Sequence, residues 1–455
     1  MTTDLVVVLP GITGSTLRTP KGLVWSPTPG AVLEAIRTFG RSVNDLRLPE
    51  GIGDDHPGDG VEPVALMTDL HLVPGLWTPV KGYDVLLDRL HSLGWTEAAG
   101  NLLPVPYDWR LSNRYNARRL ITVVEPALER WRAKHPRNAD ARLVFVCHSM
   151  GGLIARWYIE KCGGAGHTRK LITLGTPYRG AAKALAQLVN GTHQRLGPLS
   201  FDLTAFARTL PSLYQLLPEY ACIEDPTTGE LSKTTEVRGG IPELDHKQVL
   251  DAMRFHTDLR TAESARPASL TATHALVGIQ QNTPTTARIK NGGIELQGTY
   301  IGELHYGDGT VPLPGACRSD VPMDSNTLRR IPDQHGNLQR NTAALDELEG
   351  ILTAADVVVR APGETQLRLD VPEVITAGEE LSVRIASAGG AGIAVRLTVT
   401  DENGGLEDAR VVLAGPEPTQ ALFDGLAPGA HTVDATGTRP GSPVAAVSGD
   451  TLVWE

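Results

Sequence analysis

Leu143-Val-Phe-Val-Cys-His-Ser149-Met-Gly-Gly-Leu-Ile-Ala-Arg-Trp-Tyr158 sets the fold of this chain. An apolar run of strand length stops at a serine, two glycines follow within three residues, and an apolar period of helical spacing begins. This is how a strained strand-to-helix turn with an exposed serine hydroxyl is written in sequence. The strict Gly-x-Ser-x-Gly pattern asks for glycine at position 147, where this chain has Cys147. The turn needs a small residue there because strand and helix backbones approach closely. Cysteine is only moderately larger than alanine, so the spacing predicts an inert thiol packed behind the turn.

Outward from this turn, residues 1 to about 355 alternate strand-like and helix-like segments. Leu5–Leu9 reads as a buried strand ended by Pro10-Gly11, and Tyr83–Leu93 has helical spacing. Asn113–His135 reads as a long helix with Ser112 or Asn113 as its N-cap. Met150–Lys161 is the next helix, closed by Gly163-Gly164, and Leu171–Leu174 the next strand. Such alternation predicts an α/β domain around a largely parallel sheet. Two Pro-rich, weakly periodic segments near 18–80 and 180–270 interrupt it, and are expected to form lid or cap insertions. Past residue 361 the helical period disappears. Seven short alternating runs with Gly, Pro and Asp turns predict an all-β sandwich over 361–455, immunoglobulin-like in strand number but without cysteine.

The net charge of −10 sits almost wholly in that second part. Residues 361–455 hold fourteen Asp and Glu against five Arg and no Lys, a balance of −9, which leaves −1 for the first 360. Neither part has a basic stripe, so nucleic acid is not an expected partner. No run approaches the roughly 18 apolar residues of a membrane span. The first residues carry no basic region or cleavage site of a secretory signal, and Cys147, Cys162, Cys222 and Cys317 show no paired spacing. Together these predict a cytoplasmic protein with reduced thiols, secretion requiring a signal trimmed from the sequence.

A serine hydroxyl becomes a nucleophile only when an imidazole takes its proton and a carboxylate orients that imidazole. On a fold with this turn the chain order is Ser, then acid, then His. Gly307-Asp308-Gly309-Thr310 supplies an acid in a tight loop, and Gln334-His335-Gly336 a histidine in a glycine-containing loop before a helical run. Ser149, Asp308 and His335 are therefore the candidate catalytic set. His305 is a rival base in the wrong order; Asp320, Asp324 and Asp333 are rival acids. His148, beside the nucleophile, is read as packing or tuning the site. The oxyanion should meet two backbone N–H groups, those of Met150 and of Ile12 in the loop Leu9-Pro10-Gly11-Ile12-Thr13-Gly14-Ser15. Tyr107-Asp108-Trp109-Arg110 reads as a buried network bracing the next helix. No metal-ligand spacing or phosphate loop is present, so neither metal nor cofactor is predicted.

Leu9–Leu17, Pro106–Arg110, Cys147–Gly152, Leu174–Gly180 and Gly307–Pro312 together resemble the lecithin:cholesterol acyltransferase family over about residues 4–350. The resemblance implies a lid-bearing α/β-hydrolase that attacks an acyl ester with serine and passes the acyl group to water or an alcohol. It matches Ser149, Asp308 and His335 to the family triad, and Ile12 and Met150 to its oxyanion amides. Secreted members staple their lid with a disulfide in the region matching about 25–75, where this chain has no cysteine. Trp25, Trp77 and Tyr178 are candidate acyl or lid contacts. The expected substrate is a lipid or phospholipid-like ester. The alternatives are a soluble small-molecule ester, or an inactive scaffold; the sandwich is a candidate surface for a protein partner.

Overall fold

The computed structural model describes residues 3–20, 22–25, 46–48, 54, 58–68, 82–191, 193–196, 199–266, 272–325, 328–353, 365–387, 392–438 and 444–454. Its centre is a six-stranded sheet of β1 (Leu5–Leu9), β2 (Leu102–Pro104), β3 (Leu143–His148), β4 (Thr168–Leu174), β5 (Ala272–Gly278) and β6 (Arg329–Ile331). The spatial order is β6-β5-β4-β3-β1-β2. Every neighbouring pair is parallel. Successive side chains of a strand point to opposite faces, and both faces are covered here. Leu5, Val7, Leu9, Phe145 and Cys147 join one core with α2 (Asn113–Lys134) and α3 (Gly151–Lys161). Val6, Val8, Val144 and Val146 join the other, with α1 (Asp84–Ser92) and α5 (Thr342–Thr353). Burying each such side chain stabilises the fold by roughly 1.5–3 kcal/mol.

The N-cap of α2 is Ser112, whose hydroxyl accepts from the Tyr115 N–H. Three strands of this sheet lack a readable sequence signal. β2 is three residues ending in proline, β5 is broken by Thr273 and His274, and β6 opens on two arginines at the sheet edge. The segment near 180–270 is more regular than its pattern suggests. It holds the helix Ala182–Asn190 and the 20-residue α4 (His246–Ala265), capped by Asp245. In the segment near 18–80, Ser15–Thr19, Gly22–Trp25 and Glu62–Leu66 form a three-stranded antiparallel sheet. Most of the rest of that segment, Trp77 included, lies outside the described residues.

Beyond α5 the chain is all β. Leu367–Asp370, Leu381–Ser387 and Thr419–Phe423 form one antiparallel sheet. A five-stranded sheet runs in the order Val374–Thr376, Val447–Trp454, Gly429–Gly437, Ile393–Asp401, Leu406–Ala414. Leu381, Val383, Ile385 and Phe423 of the first meet Val395, Leu397, Val399 and Val433 of the second in one buried core. The strand Val374–Thr376, parallel to Val447–Trp454, is too short to show an alternation.

Candidate active site

The candidate side chains collect at the carboxyl ends of the parallel strands, where open α/β sheets place their ligands. At the end of β3, Ser149 adopts φ 50°, a left-handed conformation unusual for a side-chain-bearing residue. Its N–H donates to the Leu174 carbonyl at 2.9 Å, pinning the turn to the end of β4. Two close approaches explain the glycines that follow. A Cβ on Gly151 would lie 2.5 Å from the Pro10 carbonyl oxygen, and one on Gly152 would lie 2.2 Å from Thr176 Oγ1. Cys147 is fully buried on the α3 side of the sheet, and burial pushes its thiol well above its ordinary range.

His335 opens the short turn His335–Asn337 beyond β6. Its Nε2 is 2.8 Å from Ser149 Oγ, and its Nδ1 is 2.7 Å from Asp308 Oδ2. An ionised carboxylate only accepts, so Nδ1 carries the proton and Nε2 is left to accept from the serine hydroxyl. Asp308 is anchored on its other oxygen, which accepts from the N–H groups of Thr310 (2.9 Å) and Val311 (2.6 Å). The His335 N–H donates to the Asp308 carbonyl at 2.7 Å, tying the two loops together by backbone as well. All three side chains are buried.

These rivals have other partners. Asp320 pairs with Arg318 at 2.7 Å, and His305 lies 3.9 Å from Glu303. Asp333 is buried against Asn341, and burial pushes its carboxyl up to about 7.

Ile12 and Met150 are both buried, one in the loop beyond β1 and the other immediately before α3. Gly11 has no room for a side chain, since a Cβ there would lie 3.0 Å from both His148 Nδ1 and Ser149 Cβ. This close approach brings the Pro10–Ile12 backbone against the serine. Tyr107 holds the same loop: its hydroxyl donates to the Pro10 carbonyl at 2.8 Å and its N–H to Ser15 Oγ at 3.0 Å. Arg110 makes paired hydrogen bonds to Asp108 and an ion pair with Asp59 at 2.8 Å. The aromatic-acid-aromatic-base block therefore braces the first-strand loop and the insertion after it, in addition to α2.

Sequence reasoning gave His148 no defined partner and omitted Tyr83. The Gly11 N–H donates to Tyr83 Oη (2.7 Å), which lies 2.9 Å from His148 Nδ1, while His148 Nε2 lies 3.0 Å from the His335 carbonyl. Burial, with His335 nearby, pushes His148 down to about 3, so its ring is neutral. Neutral imidazole has one donor and one acceptor. The Tyr83 hydroxyl therefore donates to Nδ1, and Nε2–H donates to the carbonyl, linking the Gly11 loop to the His335 loop. A helical pattern beginning at a tyrosine carries no signal for such a role.

Tyr178 is buried, its hydroxyl 2.9 Å from Thr173 Oγ1 and its ring 4.6 Å from the Arg156 guanidinium carbon. Trp25 ends the strand Gly22–Trp25.

The pattern described as lecithin:cholesterol acyltransferase matches residues 75–248, the stretch holding the serine turn and the Tyr107–Arg110 block. Residues 75–248 carry the lecithin:cholesterol acyltransferase family signature. The matched segment ends before Asp308 and His335. Human lysosomal phospholipase A and acyltransferase is 26% identical over 200 residues, covering 42% of this chain and 46% of that protein. The rat protein of the same name is 25% identical over 167 residues, covering 35% and 38%. The chain thus spans less than half the length of these curated relatives. Among solved structures, the lipase BlEst2 of Bacillus licheniformis in its propeptide form aligns over 99% of this chain and 93% of that one, with 11% identity and a TM-score of 0.37. A CARDB domain from Pyrococcus furiosus aligns over 21% of this chain and 99% of its own, with 18% identity and a TM-score of 0.16.

The expectation of a cytoplasmic location is overturned by the human and rat relatives, both of which are named as lysosomal. Unpaired cysteines are a poor guide to compartment in a chain of this size. Large cores fold without the staples that small secreted domains need. No helix among the described residues is long and apolar enough to cross a membrane.

Proposed function

We propose that this chain is a serine-dependent acyl-ester hydrolase or acyltransferase of α/β-hydrolase type, acting on a lipid ester of the phospholipid class. The observation that carries the proposal is the buried line Ser149 Oγ–His335 Nε2–Asp308, with links of 2.8 and 2.7 Å. The family signature around the serine and the relatives named as phospholipase A and acyltransferase support the substrate class.

In this mechanism Ser149 Oγ attacks the ester carbonyl while its proton passes to His335 Nε2. Asp308 holds the imidazole in the required tautomer and stabilises the imidazolium. The N–H groups of Ile12 and Met150 receive the oxyanion, each worth on the order of 100- to 1000-fold in rate. Collapse of the tetrahedral intermediate breaks the ester C–O bond, and His335 protonates the departing alcohol. The acyl-enzyme is then attacked by water or an acceptor alcohol, whose proton returns through His335 to Ser149. Within this reading residues 1–355 form the catalytic domain, with insertions near 18–80 and 180–270 as its lid. Residues 361–455 form an acidic sandwich of immunoglobulin-like class.

A fluorophosphonate probe should label the wild type at Ser149 and leave Ser149→Ala unlabelled. Equal labelling of the two would end the proposal. Turnover rising from short-chain to long-chain esters supports the lipid substrate; the opposite trend assigns a soluble ester instead.

A further inference from the structure

The C-terminal β domain touches the two loops that carry Asp308 and His335. Asp333, two residues before His335, accepts from the Ser448 N–H at 3.3 Å. Asn337, two residues after it, donates Nδ2–H to the Ser448 carbonyl at 2.7 Å. Between them, Gln334 Nε2–H donates to the Leu369 carbonyl at 3.3 Å. One turn of catalytic-domain chain is thus held from both sides by backbone of the second domain. The acid's loop is held in the same way. Gln281 donates to the Leu367 carbonyl (3.3 Å) and accepts from the Leu369 N–H (3.2 Å), as a strand neighbour would. Gln281 pairs in turn with Gly307, the residue before Asp308. The Arg368 guanidinium carbon sits 3.8 Å from the centre of the Tyr306 ring, at the next residue back. Asp333, Gln281 and Asn337 are all buried, so these bonds operate away from water, where an unmade one is costly.

We infer that the C-terminal β domain is a working part of the active site: Ser448, Leu367 and Leu369 act through Asn337, Asp333, Gln334 and Gln281 to fix the positions of His335 and Asp308. This rests on the triad reading above and assigns the second domain a positioning role within the same chain. A displacement of about 1 Å at a reacting group can cost on the order of 100-fold in rate. The catalytic domain also holds these loops, through the Thr310 and Val311 N–H groups on Asp308 and through His148 on the His335 carbonyl. Loosening the domain contact should therefore shift the imidazole and carboxylate without removing them, lowering kcat and leaving KM alone.

The test uses the full chain with Asn337→Leu, Gln281→Leu and Gly449→Val. The last is made in the C-terminal domain, where a Cβ would already lie 2.8 Å from Val371 Cγ2 and 2.9 Å from Gln334 Nε2. Ester turnover and the rate of fluorophosphonate labelling of Ser149 are measured together, with thermal unfolding as the check on folding. The expected result is a fall in kcat of about 10- to 100-fold, unchanged KM, and a parallel fall in labelling rate. Gln281→Glu keeps the acceptor for Leu369 but sets a second acceptor against the Leu367 carbonyl, so it should lose kcat as Gln281→Leu does. Val411→Ser, on an exposed face of the domain, should match the wild type. Folded Asn337→Leu and Gln281→Leu proteins with wild-type kcat would overturn the inference even if Gly449→Val failed to fold. If Ser149→Ala kept full activity, the triad reading itself would fail, a separate outcome.

Discussion

Asp308→Asn is the substitution whose result the geometry determines most completely. Oδ1 of Asp308 accepts two backbone N–H groups, from Thr310 at 2.9 Å and Val311 at 2.6 Å. The asparagine must keep its carbonyl oxygen there, because turning its NH2 toward them would leave buried donors facing donors. Its NH2 group then faces His335 Nδ1, which the aspartate approaches at 2.7 Å. Nδ1 must now accept, so the imidazole proton moves to Nε2, 2.8 Å from Ser149 Oγ. A protonated Nε2 cannot take the serine proton. The corresponding change in a serine protease lowers kcat by about 10,000-fold, or about 5 kcal/mol of transition-state stabilisation. The same loss is expected here with little change in KM or melting temperature, since every hydrogen bond of the loop is kept. The assay is steady-state turnover of a chromogenic ester alongside thermal unfolding, with nitrogen NMR of His335 reporting the tautomer. A folded variant that kept more than about a tenth of kcat would refute this account of Asp308.

Three other perturbations test the surroundings of the line. His148 is pushed down to about 3 from 6.5 by burial. The folded chain therefore refuses a proton that the unfolded chain takes below 6.5, and stability is full above that pH and falls as pH drops toward about 3. Between 6.5 and 4.5 the loss is about 2 kcal/mol; His148→Gln should reduce the shift in urea midpoint over that range, and an unchanged shift would count against the buried neutral ring. In Gly278→Ala the new methyl would sit 2.3 Å from Asp308 Cβ. The overpacking should cost about 1–3 kcal/mol and lower kcat, and an alanine variant with wild-type melting and turnover would contradict the packing. Cys147 should resist iodoacetamide in the folded protein and react on unfolding, because its thiol is buried and held protonated. Peptide mapping that found it alkylated at native pH without unfolding would place the thiol elsewhere.

What could be read from the residues depended on whether a function was local. The serine turn is local in pattern: strand, strained residue and glycines lie within one stretch, although the atoms that leave no room at Gly151 and Gly152 belong to Pro10 and Thr176, outside it. Chain order then selected Asp308 and His335, although the strands that deliver them were not legible. Arg329–Ile331 is three residues long, and two of them are arginines. Its place as a sheet strand comes from pairing with Ala272–Gly278, a contact with no sequence period of its own. Tyr83 and His148 were missed as a pair for the same reason. Each sits in a helix or strand pattern that explains it by itself, and only the 2.9 Å contact across 65 positions gives them a joint role.

The family signature ends before the second half of the site. It covers residues 75–248 and stops before the acid and the imidazole. In a parallel sheet with the order β6-β5-β4-β3-β1-β2, the carboxyl ends of β1, β3, β5 and β6 open on one edge, whatever lies between them in the chain. A serine at the end of β3 therefore constrains the sites of its partners to the loops beyond later strands, while leaving the intervening sequence free to vary. Those later loops are the ones the C-terminal domain grips, through Gln281 and the turn at Asp333–Asn337. The part of the site least fixed by local sequence is thus the part that receives a second, non-local support. Substitutions in the grip should therefore change the rate at His335 before they change the affinity for an ester bound near Ser149.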